Sequence, residues 1–102
     1  MSKIRYVTKA TIYDKKGKII AEAENSYQKT HPIQLKYATA CGQPYKAFLH
    51  AEVLALIRSK GKGYRIVVER YNKLGEPMLA KPCPICEMAI LESHIERVEY
   101  TT

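Results

Sequence analysis

Long apolar runs are missing from this sequence. The longest, Val53 to Ile57, falls far short of the ~20 residues that cross a bilayer, so a membrane partner is excluded. Cysteine is scarce: three residues, an odd number, with Cys83 and Cys86 close together and Cys41 far away. A secreted disulfide scaffold would carry more, in even number. The close pair therefore points to a metal or to redox chemistry in a reducing compartment. Tryptophan is absent, and the eight tyrosines fall mostly at strand positions. Repeats and low-complexity segments are lacking too. Met1-Ser2-Lys3 runs straight into strand-like sequence with no signal-peptide core, so the expected location is cytoplasmic.

What is present describes a small globular protein. The 102 residues are 46% hydrophobic and 26% charged, which suits one domain over residues 1–102. A chain this short leaves apolar surface uncovered, which favours a homo-oligomer. The net charge of +7 is unevenly spread. Residues 1–62 hold twelve basic against four acidic side chains, and residues 63–102 hold five against six. Such a basic half fits an anionic partner, either a nucleotide phosphate or a nucleic-acid backbone. A solvated lysine face would look the same.

Element signals follow one another in a β-β-α-α-β-α-β order. Ile4 to Tyr13 alternates with Ile4, Tyr6, Ala10 and Ile12 on one face, as a half-buried strand does. Asp14-Lys15-Lys16-Gly17 reads as a turn, and Lys18 to Asn25 as the returning strand. Thr30-His31-Pro32 opens a helix carrying Ile33, Tyr37, Ala38 and Cys41, ended by Gly42. A second helix runs from about Leu49 to Lys60, a strand from Tyr64 to Tyr71, and a loop from Asn72 to Lys81. Pro84 starts a third helix with Ile85, Met88, Ala89 and Leu91 inward, and Ile95 to Thr101 closes the chain as a strand. This order predicts an α/β fold, a mixed sheet of four to five strands flanked by helices. The last two strands should each run parallel to a neighbour.

Two positions resist the reading of the second helix as ordinary core. His50 and Glu52 stand in its first turn, ahead of Val, Ala, Leu and Ile. Cys83 falls at the start of the third helix and Cys86 one turn inside it. Helix N-termini favour thiolate over thiol. Where two such ends meet at one edge of a sheet, an imidazole and two thiolates supply three ligands for a tetrahedral Zn2+. The fourth position then belongs to water, whose pKa the metal lowers toward ~7. Glu52 sits close enough to take that water's proton without being a ligand.

His50-Ala51-Glu52 followed by Pro82-Cys83-Pro84-Ile85-Cys86 matches the His-x-Glu … Pro-Cys-x-x-Cys signature of zinc nucleobase deaminases. The chain thus resembles the cytidine/deoxycytidylate deaminase superfamily over most of its length. That resemblance implies a compact version of the cytidine deaminase-like three-layer fold. It also implies zinc on His50, Cys83 and Cys86, with Glu52 shuttling protons as zinc-activated water attacks C4 of cytosine and ammonia leaves. Asn25 is placed like the residue that binds the sugar hydroxyl in such enzymes, and the backbone at Ala51 and Cys83 like the groups that contact the base. Family members usually carry a helix before the hairpin and often a further strand and helix at the end, and the sequence shows neither.

Neighbouring residues join the candidate site by proximity along the chain. His31 could reach a substrate, or simply cap its helix. Tyr27 could stack on a base, or pack within its loop. Lys29 and Lys46 are the candidates for a phosphate. The expected substrate is a (deoxy)cytidine nucleotide or nucleoside. Two readings compete with it: deamination of cytosine or adenine in single-stranded DNA or RNA, and a non-catalytic module in which Cys41 completes a structural Cys3His zinc site. Whether Cys41 reaches the metal separates the last reading from the others.

Overall fold

Alternation of small or branched apolar residues with polar ones builds the sheet. In the computed structural model, which describes residues 7–26, 29–44 and 48–101, strand β1 (Val7–Tyr13) pairs antiparallel with β2 (Ile19–Glu24). Ala10 stands opposite Ala23 and Ile12 opposite Ala21. The turn between them is fastened by Asp14, whose Oδ1 accepts from the amides of Lys16 and Lys18, both at 2.9 Å. Gly17 takes the φ of +83° that closes it. Residues 4–6 of the expected first strand lie outside the described residues.

Strand β3 (Arg65–Tyr71) is the centre of the sheet. It pairs antiparallel with β1 on one side, Ile66 facing Ile12 and Val68 facing Ala10. Its other edge is shared by two strands. β5 (Arg97–Tyr100) runs parallel to its first half, and β4 (Pro77–Met78) antiparallel to its last two residues. The five-stranded sheet is mixed, as expected, with β3 and β5 the parallel pair. The segment expected to be loop from 72 to 81 contains β4. Asn72 turns the chain back there, its Oδ1 accepting from Leu74 and Glu76 N–H at 2.9 and 3.0 Å.

Three helices gather on one face: α1 (Pro32–Ala40), α2 (Ala51–Ser59) and α3 (Pro84–Glu92). Ala10, Ile12, Ile66 and Val68 from the sheet meet Val53, Ala55 and Leu56 of α2 and Cys86, Ala89 and Ile90 of α3 in the core. The layering is lopsided: α1 packs against α3, and no described helix lies on the opposite face of the sheet. That face carries paired charges instead, Lys9 with Glu22 at 3.6 Å and Arg65 with Glu99 at 3.3 Å. None of the described helices is long and apolar enough to cross a membrane.

Two helix faces differ from the sequence expectation. On α1 the buried residues are Gln34 and Ala38, while Ile33 is 39% exposed. A partly buried hydrogen bond goes with that rotation: Gln34 Oε1 accepts from the backbone N–H of His50 at 3.2 Å. On α3 the inward residues are Ile85, Cys86, Ala89 and Ile90, and Leu91 is 76% exposed.

One close approach has a measurable consequence. A Cβ on Gly63 would lie 2.5 Å from Ile12 Cγ2 and 2.6 Å from Ile95 Cδ1. Ile12 is fully buried on β1 and has little room to yield. Gly63→Ala should therefore destabilise the fold by about 1–3 kcal/mol, the usual range for an overpacked core. Urea melts of the two proteins measure the difference, and an unchanged midpoint would contradict this packing.

Candidate active site

Two helix starts create the site. His50 is the N-cap of α2 and Cys83 the N-cap of α3, both in extended conformation, and Pro84 occupies the first turn of α3. Neither side chain turns back to cap its own helix. They turn toward each other: His50 Nδ1 lies 3.6 Å from Cys83 Sγ and 3.1 Å from Cys86 Sγ. The chain leading into α2 is held in place by the segment leaving β2. Ser26 N–H donates to Leu49 C=O at 2.9 Å, Leu49 N–H to Lys29 C=O at 2.8 Å, and Thr30 bridges to Phe48.

The donor set fits zinc. The three ligand atoms lie within 4.8 Å of one another. Atoms bound tetrahedrally at about 2.3 Å (sulfur) and 2.1 Å (nitrogen) would stand roughly 3.6 Å apart. Thiolate with imidazole is also the chemistry that selects Zn2+ over the harder cations. Three protein ligands is the count of catalytic zinc sites, and four that of structural ones. Cys41, at the C-cap of α1, does not belong to the group.

Burial and mutual contact pull the two thiols apart. The Cys83 thiol is held down to about 3, chiefly by the hydrogen bond from Cys86, with His50 helping against partial burial. Cys86 is pushed well above the ordinary thiol range, because it donates that bond and because it is buried. The two shifts run in opposite directions, toward thiolate on Cys83 and thiol on Cys86. Glu52, 6% exposed in the first turn of α2, is raised by burial, against the opposing pull of its own backbone N–H and of His50.

A cavity of about 210 Å³ opens onto this cluster, lined by Thr8, Asn25, His50, Ala51, Glu52, Arg70, Ala80, Lys81 and Cys83. Asn25 is locked at the end of β2. Its Oδ1 accepts from Thr8 N–H at 2.9 Å, which fixes the amide orientation and points Nδ2 out as the remaining donor. Opposite, Thr101 fastens the wall. Its Oγ1 accepts from Arg70 N–H at 3.1 Å and donates to Met78 C=O at 2.6 Å. Its backbone carbonyl accepts from Ala80 N–H at 2.9 Å, and its N–H donates to Val68 C=O at 3.0 Å.

Most of the expected site is assembled here. His50, Cys83 and Cys86 meet, and Glu52, Asn25 and Ala51 line the same cavity. His31 does not line it. Its Nδ1 accepts from Ile33 N–H at 3.1 Å, capping α1. Lys29 is exposed and also outside the lining. Tyr27 and Lys46 lie outside the described residues. Sequence reasoning missed Gln34, Thr8, Arg70 and Lys81. Arg70 did leave a signal: alternation along β3 puts it on the face of Ile66 and Val68, where a cation is out of place.

The match to known families agrees with this geometry. Residues 7–102 match the family described as "Cytidine and deoxycytidylate deaminase zinc-binding region". The chain belongs to that family. Among curated proteins, none matches the sequence significantly. Zn2+ is the metal of such a region, and His50, Cys83 and Cys86 are grouped as its potential ligands.

The metal leads to a quantitative expectation. Purified protein should carry about one zinc per chain, retained in Cys41→Ser and lost in Cys86→Ser, as metal analysis will read. In mildly alkaline buffer, where an imidazole is neutral, zinc uptake by chelator-stripped protein should release about one proton. Cys83 is already a thiolate there and Cys86 is not, so affinity should rise with pH. Indicator-dye titration measures the count, and release of two protons would contradict the asymmetry of the thiols.

Proposed function

We propose that this protein hydrolytically deaminates cytosine in a (deoxy)cytidine nucleotide or nucleoside, giving uracil and ammonia. One observation carries the reading: a buried carboxylate, Glu52, lines the same small cavity as the zinc-binding cluster without being part of it. A structural zinc site has no use for such a group. Zinc on His50, Cys83 and Cys86 would supply Lewis-acid activation of a water.

The residues of the chain do the rest. Glu52 takes a proton from the water as its oxygen bonds to C4 of the base, and delivers that proton to N3. The second water proton passes by the same carboxylate to the amino nitrogen, the C4–N4 bond breaks, and ammonia departs. Burial raises the proton affinity of Glu52, which helps it hold a proton between these transfers. Asn25 Nδ2 is the donor for a sugar oxygen, and the backbone at Ala51 and Cys83 faces the base.

The placement of charge favours a mononucleotide or nucleoside over a strand. The lysine cluster of the β1–β2 turn, Lys15, Lys16 and Lys18, lies at the opposite end of those strands from Thr8 and Asn25. A strand tracking from the site to that turn would run roughly 20 Å along β1. The exposed Val98 and Tyr100 of β5 support the expected self-association.

Glu52→Gln tests the mechanism. The variant should fold and keep its zinc, while ammonia release from cytidine and its 5′-monophosphate falls by ~10²–10⁴-fold or more. Turnover equal to that of the unmodified protein would sink the proposal.

A further inference from the structure

The sheet edges at β2 and β5 are finished differently. On β2, Arg58 Nη1 donates to the backbone carbonyl of Glu22 at 2.8 Å, so a side chain occupies that edge. On β5, Arg97 and Thr101 donate their N–H groups inward, to Tyr64 and Val68 C=O at 3.2 and 3.0 Å. Backbone groups alternate sides along a strand, so those of Val98 and Tyr100 point outward. Among the described residues no strand pairs with that outer edge. Proline and lysine, which blunt exposed edges, are both absent from Arg97–Tyr100. We propose that this edge pairs antiparallel with the same edge of a second copy of the chain, across a two-fold axis at Val98.

Charge chooses both the partner and the register. The chain carries +7 overall, which sets copies of it against one another. Residues 96–100 are an exception, with Glu96 and Glu99 against Arg97, so two copies repel least there. A pair of strands centred on Glu99 sets two carboxylates face to face, and one centred on Arg97 does the same with two guanidinium groups. Like charges directly opposite are unfavourable. Centred on Tyr100, Glu99 meets Thr101 and the charged pairs are lost. Centred on Val98, each Arg97 faces Glu99 of the second copy, twice by symmetry. Glu99 already pairs with Arg65 of its own chain at 3.3 Å, so it then stands between two cations.

Apolar surface lies along the same edge. Val98 and Tyr100 line a groove of about 210 Å³ with Pro82 and Ile90, joined by Lys81 and Glu87. Val98 is 42% exposed and Tyr100 38%, and Leu91, one turn beyond Glu87 on α3, is 76% exposed. A two-fold axis brings one patch against itself, so the patch must be self-complementary. This one is, with apolar side chains and a single charge of each sign. Lys81 also lines the catalytic cavity, so the seam between the copies runs beside the pocket wall.

Sedimentation equilibrium of the zinc-loaded protein tests the pairing and should show a dimer of the chain at micromolar concentration. Val98→Lys sets two ammonium groups across the axis at an exposed position. It should give a monomer that keeps its zinc and its circular dichroism. Arg97→Glu should raise the dissociation constant roughly 5-fold or more, since two opposed pairs turn repulsive. Adding Glu99→Arg to it reverses both charges and should restore most of the affinity. Val98→Cys, made with Cys41→Ser and with zinc holding the other two thiols, should cross-link on mild oxidation. Hydrogen-bonded partners in an antiparallel pair stand about 5.5 Å apart at Cα, within reach of a disulfide. A monomeric unmodified protein, which would leave the edge to an extended segment of another protein, would overturn the pairing. So would a dimer indifferent to Val98→Lys, or a Val98→Cys variant that does not cross-link. None of these readouts needs turnover, so the pairing and the deaminase reading stand or fall separately.

Discussion

Everything in this structure depends on two helices starting at the same place. Zinc needs donors from His50 and from the Cys83–Cys86 pair, which are distant in the chain and must meet within a few ångströms. A sheet with helices on one face achieves this, because α2 and α3 both begin at the edge where β1 and β3 present Thr8 and Arg70. The extended N-cap conformation of each ligand then aims its side chain across the gap and away from its own helix. The helix termini contribute too, since their partial positive charge favours thiolate and carboxylate at the positions where Cys83 and Glu52 stand.

That arrangement also divides labour within one short helix turn. His50, the N-cap, and Glu52 in the first turn of α2 are two residues apart, yet one belongs to the candidate metal cluster and the other is a buried carboxylate in the pocket wall. Their difference is positional: the cap residue points back over the helix end, and the second helical residue points along the cavity. The supports of this turn come from elsewhere. Gln34 on α1 accepts from His50 N–H, and the segment after β2 hydrogen-bonds to Leu49. α1 packs against the core through Tyr37 and braces the site through Gln34.

The chemistry-bearing residues were legible in the sequence because their types are few and their spacing is tied to helix starts. His50, Glu52, Cys83 and Cys86 could be read from two short motifs, and the mixed sheet from the alternation of strands and helices. Other features depend on tertiary contact and left weaker traces. Ile33 looked like core, but the face of α1 that turns inward carries Gln34, which accepts a hydrogen bond from His50 N–H. β4 is two residues long and exists because Asn72 reverses the chain. Arg70 and Lys81 come to line the cavity through tertiary contact, and Lys29, close along the chain, does not.

Thr101 has a consequence for how the molecule is made. Its four hydrogen bonds to β3, to Met78 and to Ala80 fix the wall that holds Arg70 and Lys81. Protein synthesis is vectorial, adding about 5–20 residues each second. The metal ligands are all translated before this residue, so a nascent chain can possess its complete metal-binding set while the opposite wall of its pocket is still unfastened. The metal-binding set and the fastening of the opposite wall therefore draw on different stretches of the chain.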